Sequence, residues 1–196
     1  MDWLPLTILS VAAFATTNLD DAFVLLLFFG DRRYRARHVF IGQALGVGLL
    51  VLLSLIGALV ALALPARAVG LLGLLPIAIG VKHLLERRRG QPDEPEAAAP
   101  PGAAGWRQAA AVAGITVANG GDNLGVYVPL FATRSLLETA LILGGFAVML
   151  VMWTFAGYYL ARHSAVAARL QRLSGVVMPW VLIGLGAAII VDSILQ

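Results

Sequence analysis

Three aspartates carry the chemistry available to this sequence. Asp20 and Asp21 sit in the run Ala-Thr-Thr-Asn-Leu-Asp-Asp-Ala-Phe at 15–23. Asp122 sits in Val-Ala-Asn-Gly-Gly-Asp-Asn-Leu-Gly at 117–125. Thr17, Asn18, Asn119 and Asn123 add hydroxyl and amide oxygens beside the carboxylates. Asn119, Asp122 and Asn123 fall at i, i+3 and i+4, hence on one face of a helix. Carboxylates with neutral oxygens make a donor set for a divalent cation. The chain has no cysteine, so by ligand type alone the site is hard and favours manganese, magnesium or calcium. Gln43 is either a peripheral ligand or an interfacial hydrogen bonder. His38, His83 and His163 read as loop or interfacial histidines, with transient metal collection as the alternative. Met149, Met152 and Met178 read as packing or lipid-facing residues.

The elements that must hold these residues are set by composition. Of 196 residues, 60% are apolar and only 13% charged, and the mean hydropathy is +0.87. A soluble domain carries about 25% charged residues, so the expected solvent is lipid. Six apolar stretches are long enough to span a bilayer, near 4–29, 39–64, 68–86, 107–131, 136–161 and 175–195. The start, Met1-Asp2-Trp3, lacks a basic n-region and reads as part of the first span, not a cleaved leader. Asp20, Asp21 and Asp122 then fall near the centres of spans one and four. A carboxylate there costs about 2.5–3.5 kcal/mol, so it marks an ion or proton path or a protonated interhelical contact.

Other functions are excluded by what is missing. Without cysteine there is no disulfide, thiolate zinc site or iron–sulfur cluster. Lys82 is the single lysine, and no phosphate-binding G-x-x-x-x-G-K-[ST] loop occurs. No H-E-x-x-H or G-x-S-x-G pattern is present either. The net charge of +3 does not signal nucleic acid, because the charges are sorted by side. Twelve of the fourteen basic residues fall in the loop after span one, around the linker and after span five; Arg67 and Arg134 fall on the other side. By the positive-inside rule the twelve face the cytoplasm, and both termini lie outside it. Tyr34, Trp106, Tyr158 and Tyr159 form a cytoplasmic aromatic belt, with Trp3 at the outer face.

The chain reads as two related halves. Residues 1–86 and 107–196 hold three spans each, and 87–106 is a proline- and alanine-rich cytoplasmic linker. An offset of 102 carries Asp20 onto Asp122 and Gly42 onto Gly144; an offset of 103 carries Pro76 onto Pro179. An odd number of spans per half makes the repeat inverted, an architecture of secondary transporters with the site at mid-membrane. Gly120-Gly121 is expected to weaken or break span four just before Asp122. Gly42/Gly46 and Gly121/Gly125 have the spacing of close helix packing.

At this point a family resemblance enters. Thr-Asn-Leu-Asp-Asp at 17–21, Gly-Gln-x-x-Gly at 42–46, Gly-Leu-Leu-Gly-Leu-Leu-Pro-Ile at 70–77 and Ala-Asn-Gly-Gly-Asp-Asn-Leu-Gly-Val-Tyr-Val-Pro-Leu-Phe at 118–131 resemble the CadD cadmium-resistance transporters. That family belongs to the LysE superfamily. The resemblance implies an all-α bacterial inner-membrane exporter of cadmium, with zinc as a second cargo, working by exchange with protons. Asn18, Asp20 and Asp21 match its first motif, and Asn119, Asp122 and Asn123 its second. It implies no enzyme activity and no resident cofactor, and it is compatible with a homodimer. Cadmium comes from the resemblance alone. Three rivals stay open on the residues: an exporter of amino acids or organic cations on the same fold, a passive metal channel, and an intramembrane aspartyl protease.

Overall fold

The computed structural model describes residues 3–31, 34–61, 71, 74–88, 105–161, 179–187 and 189–191. All regular structure among them is helical. The helices are α1 (Trp3–Thr17), α2 (Leu19–Gly30), α3 (Ala36–Ala61), α4 (Leu74–Arg88), α5 (Trp106–Asn119), α6 (Gly121–Ala132), α7 (Leu136–Leu160) and α8 (179–187). The interior of the linker at 87–106, His163 and Met178 lie outside the described residues.

Span one is not the continuous helix expected at 4–29. It breaks at Asn18, whose φ and ψ are −112° and 14°. The cause is local. Thr16, Thr17 and Asn18 all turn their side chains back to backbone carbonyls, of Ala12, Ala13 and Phe14 respectively. Such i−4 bonding competes with the helix ladder and bends it. Span four breaks at Gly120 (φ −76°, ψ 22°), as the glycine pair predicts. A Cβ at that position would meet the Leu50 side chain, which would have to shift to admit it.

The two long helices are α3, with 26 residues, and α7, with 25. At 1.5 Å per residue both exceed the ~30 Å of a bilayer core. Leu52, Leu53, Ile56, Leu59 and Val60 of α3 and Val148, Val151, Met152 and Phe155 of α7 are exposed. So much exposed apolar surface on two helices suits lipid, not water.

Each long helix lies along the broken helix of the other half. Positions 42, 46, 50 and 57 of α3 meet positions 109–112, 113–116, 120 and 128 in that order, so α3 runs parallel to α5–α6. Gly145, Trp153 and Gly157 of α7 meet Ser10, Asn18 and Leu25, so α7 runs parallel to α1–α2. Phe40, near the start of α3, stacks edge-on with Phe155 near the end of α7, so the two pairs are antiparallel. Gly42 and Gly46 form the close seam with α5. Gly121 does not pair with Gly125 in this way: nothing lies within 4 Å of a Cβ at Gly121, whereas Gly125 faces Ile79 of α4. Gly145, not Gly144, makes the tight contact in α7. The core has a larger cluster around Phe14, Tyr127, Phe131 and Phe146 and a smaller one between α2, α3 and α5.

Helix α7 starts on a capping box. The Ser135 hydroxyl accepts the Glu138 amide, and the Glu138 carboxylate accepts the Ser135 amide. Ser135→Ala is expected to lower stability by about 1 kcal/mol, seen as a lower unfolding midpoint in detergent. An unchanged midpoint would show that the tertiary packing of α7 makes the cap redundant.

Candidate metal centre

The two breaks meet the same buried polar neighbourhood. Asp20 and Asp21 lie in the first turn of α2, and Asp122 in the first turn of α6. Helix starts carry partial positive charge and favour carboxylates; helix ends, here those of α1 and α5, present carbonyls that favour cations. Each break therefore supplies both kinds of end within one or two residues.

Thr17, Asn18, Asp21, Gln43 and Asn123 are buried, each at most 2% exposed. Asn119 and Asp122 are half-buried. The side chain of Asp20 lies outside the described residues. Gln43, read as a peripheral ligand or an interfacial hydrogen bonder, does make hydrogen bonds between elements. It is inside the protein, donating to Asp21 Oδ2 at 3.0 Å and accepting from the Thr116 hydroxyl at 2.8 Å. Asp122 Oδ1 accepts the Asn123 amide at 2.8 Å. His38, read as a loop or interfacial histidine, lies in the first turn of α3 and is buried. Its Nδ1 lies 3.0 Å from Gln108 Oε1. The amide oxygen can only accept, so Nδ1 is the donor.

Tyr127 ties the halves together. Its hydroxyl lies 2.8 Å from Thr17 Oγ1 and accepts from Asn18 Nδ2 at 3.0 Å. These bonds join α6 to the break between α1 and α2. Sequence reasoning missed Tyr127, Thr116 and Trp153. Trp153 Nε1 donates to the Asn18 carbonyl at 2.8 Å, so it satisfies an oxygen at the break. The one available signal was position: both aromatic residues fall within apolar stretches, away from the interfacial belt.

The donor side of the site is exhausted before its acceptors are. Asn18 Nδ2 is fixed toward the Phe14 carbonyl, which can only accept, at 2.9 Å. Its Oδ1 then points away, buried, with no donor among the described residues. Asn123 Oδ1 is in the same position. A buried acceptor without a donor costs about 1–3 kcal/mol. Each broken helix thus carries one donorless amide oxygen close in sequence to a carboxylate, Asn18 three residues before Asp21 and Asn123 next to Asp122. No group of three His, Cys, Asp or Glu side chains forms among the described residues; the donors are mostly neutral oxygens.

Two long apolar helices with exposed apolar faces, beside broken helices around a buried polar centre, point to a helical membrane protein. The chain belongs to the cadmium resistance transporter family, which it matches over residues 14–195. That membership makes it a transporter with a metal ion as substrate. Comparisons with curated proteins and with solved structures gave no match.

Proposed function

We propose that this chain exports cadmium, with zinc as a second cargo, across a bacterial inner membrane by alternating access in exchange for protons. The ion's ligands come from Thr17, Asn18, Asp20 and Asp21 of one half and Asn119, Asp122 and Asn123 of the other, with Gln43 at the edge. The observation that carries this reading is the pair of donorless amide oxygens, Asn18 Oδ1 and Asn123 Oδ1, one on each broken helix. Oxygen donors hold a soft ion loosely, which suits a carrier that must release its cargo.

The six spans form two inverted repeats on this reading, with both termini outside the cytoplasm. The packing supports it. The breaks at 18 and 120 are 102 residues apart, the offset of Asp20 and Asp122. Gly42 meets Val112 as Gly145 meets Ser10, and Leu50 covers Gly120 as Trp153 covers Asn18. Equivalent helices of the two halves, α1–α2 with α5–α6 and α3 with α7, run in opposite directions, as a twofold axis in the membrane plane would produce.

Metal ligands must shed protons to bind, so the exchange reading has a direct test. In proteoliposomes loaded with a pH dye, a cadmium gradient is expected to drive proton movement the opposite way, and an imposed pH gradient to drive cadmium uphill. Cadmium flux with no proton flux would sink the exchange and leave a uniporter.

A further inference from the structure

The seams flanking the site are built alike and filled differently. In the seam of α3 and α5, Gln43 and Thr116 meet through a hydrogen bond. The residues in the same places in the seam of α7 and α1 are Phe146 and Phe14, whose rings meet edge-on at 5.5 Å. Phe146 also packs on Tyr127 at 4.7 Å and on Phe131 at 6.1 Å. All four rings are buried, with at most 4% exposure. They lie between the breaks and the end of the molecule where α6 passes into α7. On the opposite side of the breaks buried polar side chains, Asp21, Gln43, Thr116, His38 and Gln108, are interleaved with the apolar cluster of Val24, Leu25, Phe28, Val39, Val112 and Ile115.

We infer that Phe14, Tyr127, Phe131 and Phe146 form a gate that closes the site toward the 133–135 end, and that the Tyr127 hydroxyl is its latch. The ring of Tyr127 belongs to the seal, while its oxygen is bonded to Thr17 and Asn18 at the break. A cation drawn to Asn18 would disturb that bond, and so would load the gate from within. A dry aromatic seal excludes water from a carboxylate-bearing site. A hydrogen-bonded seam such as Gln43–Thr116 can exchange its partners for water at little cost. What the gate admits rests on the proposed carrier function; that a gate exists does not.

The chain has no cysteine, so a single introduced thiol is the sole target of a thiol reagent. Ser10→Cys places one in the α1/α7 seam, at a buried position, and Leu136→Cys gives an exposed reference at the same end of the molecule. Both are treated in proteoliposomes with a small charged methanethiosulfonate, without metal. The Ser10→Cys thiol is expected to react far more slowly than the reference. Adding Tyr127→Phe, which keeps the ring and cuts the latch, is expected to speed it about tenfold, the equivalent of one hydrogen bond. Adding Phe146→Ala, which opens the seal, is expected to speed it about a hundredfold. Reaction of Ser10→Cys at the reference rate overturns the gate. So does a rate that neither added substitution moves. If Phe146→Ala does not fold, as read by gel filtration, the Tyr127→Phe arm decides alone. Cadmium is added as a separate arm. If the ring substitutions act but cadmium leaves every rate unchanged, the gate stands and the cadmium site fails.

Discussion

Asp21→Asn and Asp122→Asn will each abolish cadmium export while leaving the protein folded. The two changes remove a charge and almost no volume. At Asp21 the asparagine oxygen can still accept from Gln43 Nε2, the bond now made at 3.0 Å. At Asp122 it can still accept the Asn123 amide. What is lost, on the proposed site, is the attraction between a carboxylate and a divalent ion. Two unit charges ~4 Å apart are worth about 4 kcal/mol at an effective dielectric of 20, and a divalent ion doubles that. Desolvation offsets much of this gain. A net loss of about 3 kcal/mol is still about a hundredfold in affinity. Retained cadmium in metal-sensitive cells, measured by elemental analysis at matched membrane expression, should match empty vector for both variants and fall for the wild-type chain. Export by either variant at the wild-type rate would remove that carboxylate from the ion's path. Zinc and manganese in the same samples rank selectivity.

The second large effect concerns the seam that holds Asp21 in place. A Cβ added at Gly42 would lie 2.5 Å from the Ala109 carbonyl and 2.6 Å from Val112 Cβ; at Gly46 it would lie 2.6 Å from Thr116 Cβ. The neighbours are backbone and β-carbon atoms, which cannot swing away. Gly42→Val and Gly46→Val therefore force α3 and α5 apart. Overpacking of this kind costs about 1–3 kcal/mol, against a total stability of about 5–15 kcal/mol. The separation also pulls Thr116 from Gln43, a 2.8 Å bond, and so frees the amide that orients Asp21. Gly48 is the internal control, since nothing lies within 4 Å of a Cβ there. Gly48→Ala should be neutral or stabilising through helix propensity. Thermal stability in detergent should fall by many degrees for the valine variants and not for Gly48→Ala. Equal stability of Gly42→Val and Gly48→Ala would mean that α3 and α5 are not packed as described.

Much of this protein can be read from residue types alone. Low charge and long apolar stretches require helices in lipid, because only a helix satisfies its own backbone there. Carboxylates in such stretches are too costly to be incidental, so Asp20, Asp21 and Asp122 stand out without any coordinates. The break at Gly120 is legible in the same way, since two adjacent glycines weaken a helix wherever they occur. The break at Asn18 is harder to see. It comes from three side chains choosing their own backbone over the ladder, and threonine or asparagine in a membrane helix does not always do so.

Contacts between residues far apart in the chain are a different matter. Nothing in the spacing of Gln43 says that it meets Asp21 and Thr116, and its position near the start of a span pointed to an interface. His38 read as a loop or interfacial residue for the same reason, and is buried on Gln108. Tyr127 and Trp153 were not singled out by the sequence, and become polar partners only because α6 and α7 bring their hydroxyl and indole groups to the break in α1–α2. The sequence by itself determines which groups must avoid lipid. Which partner each finds there was decided only by how the two halves dock, because hydrogen bonds between helices depend on a register that local periodicity does not encode.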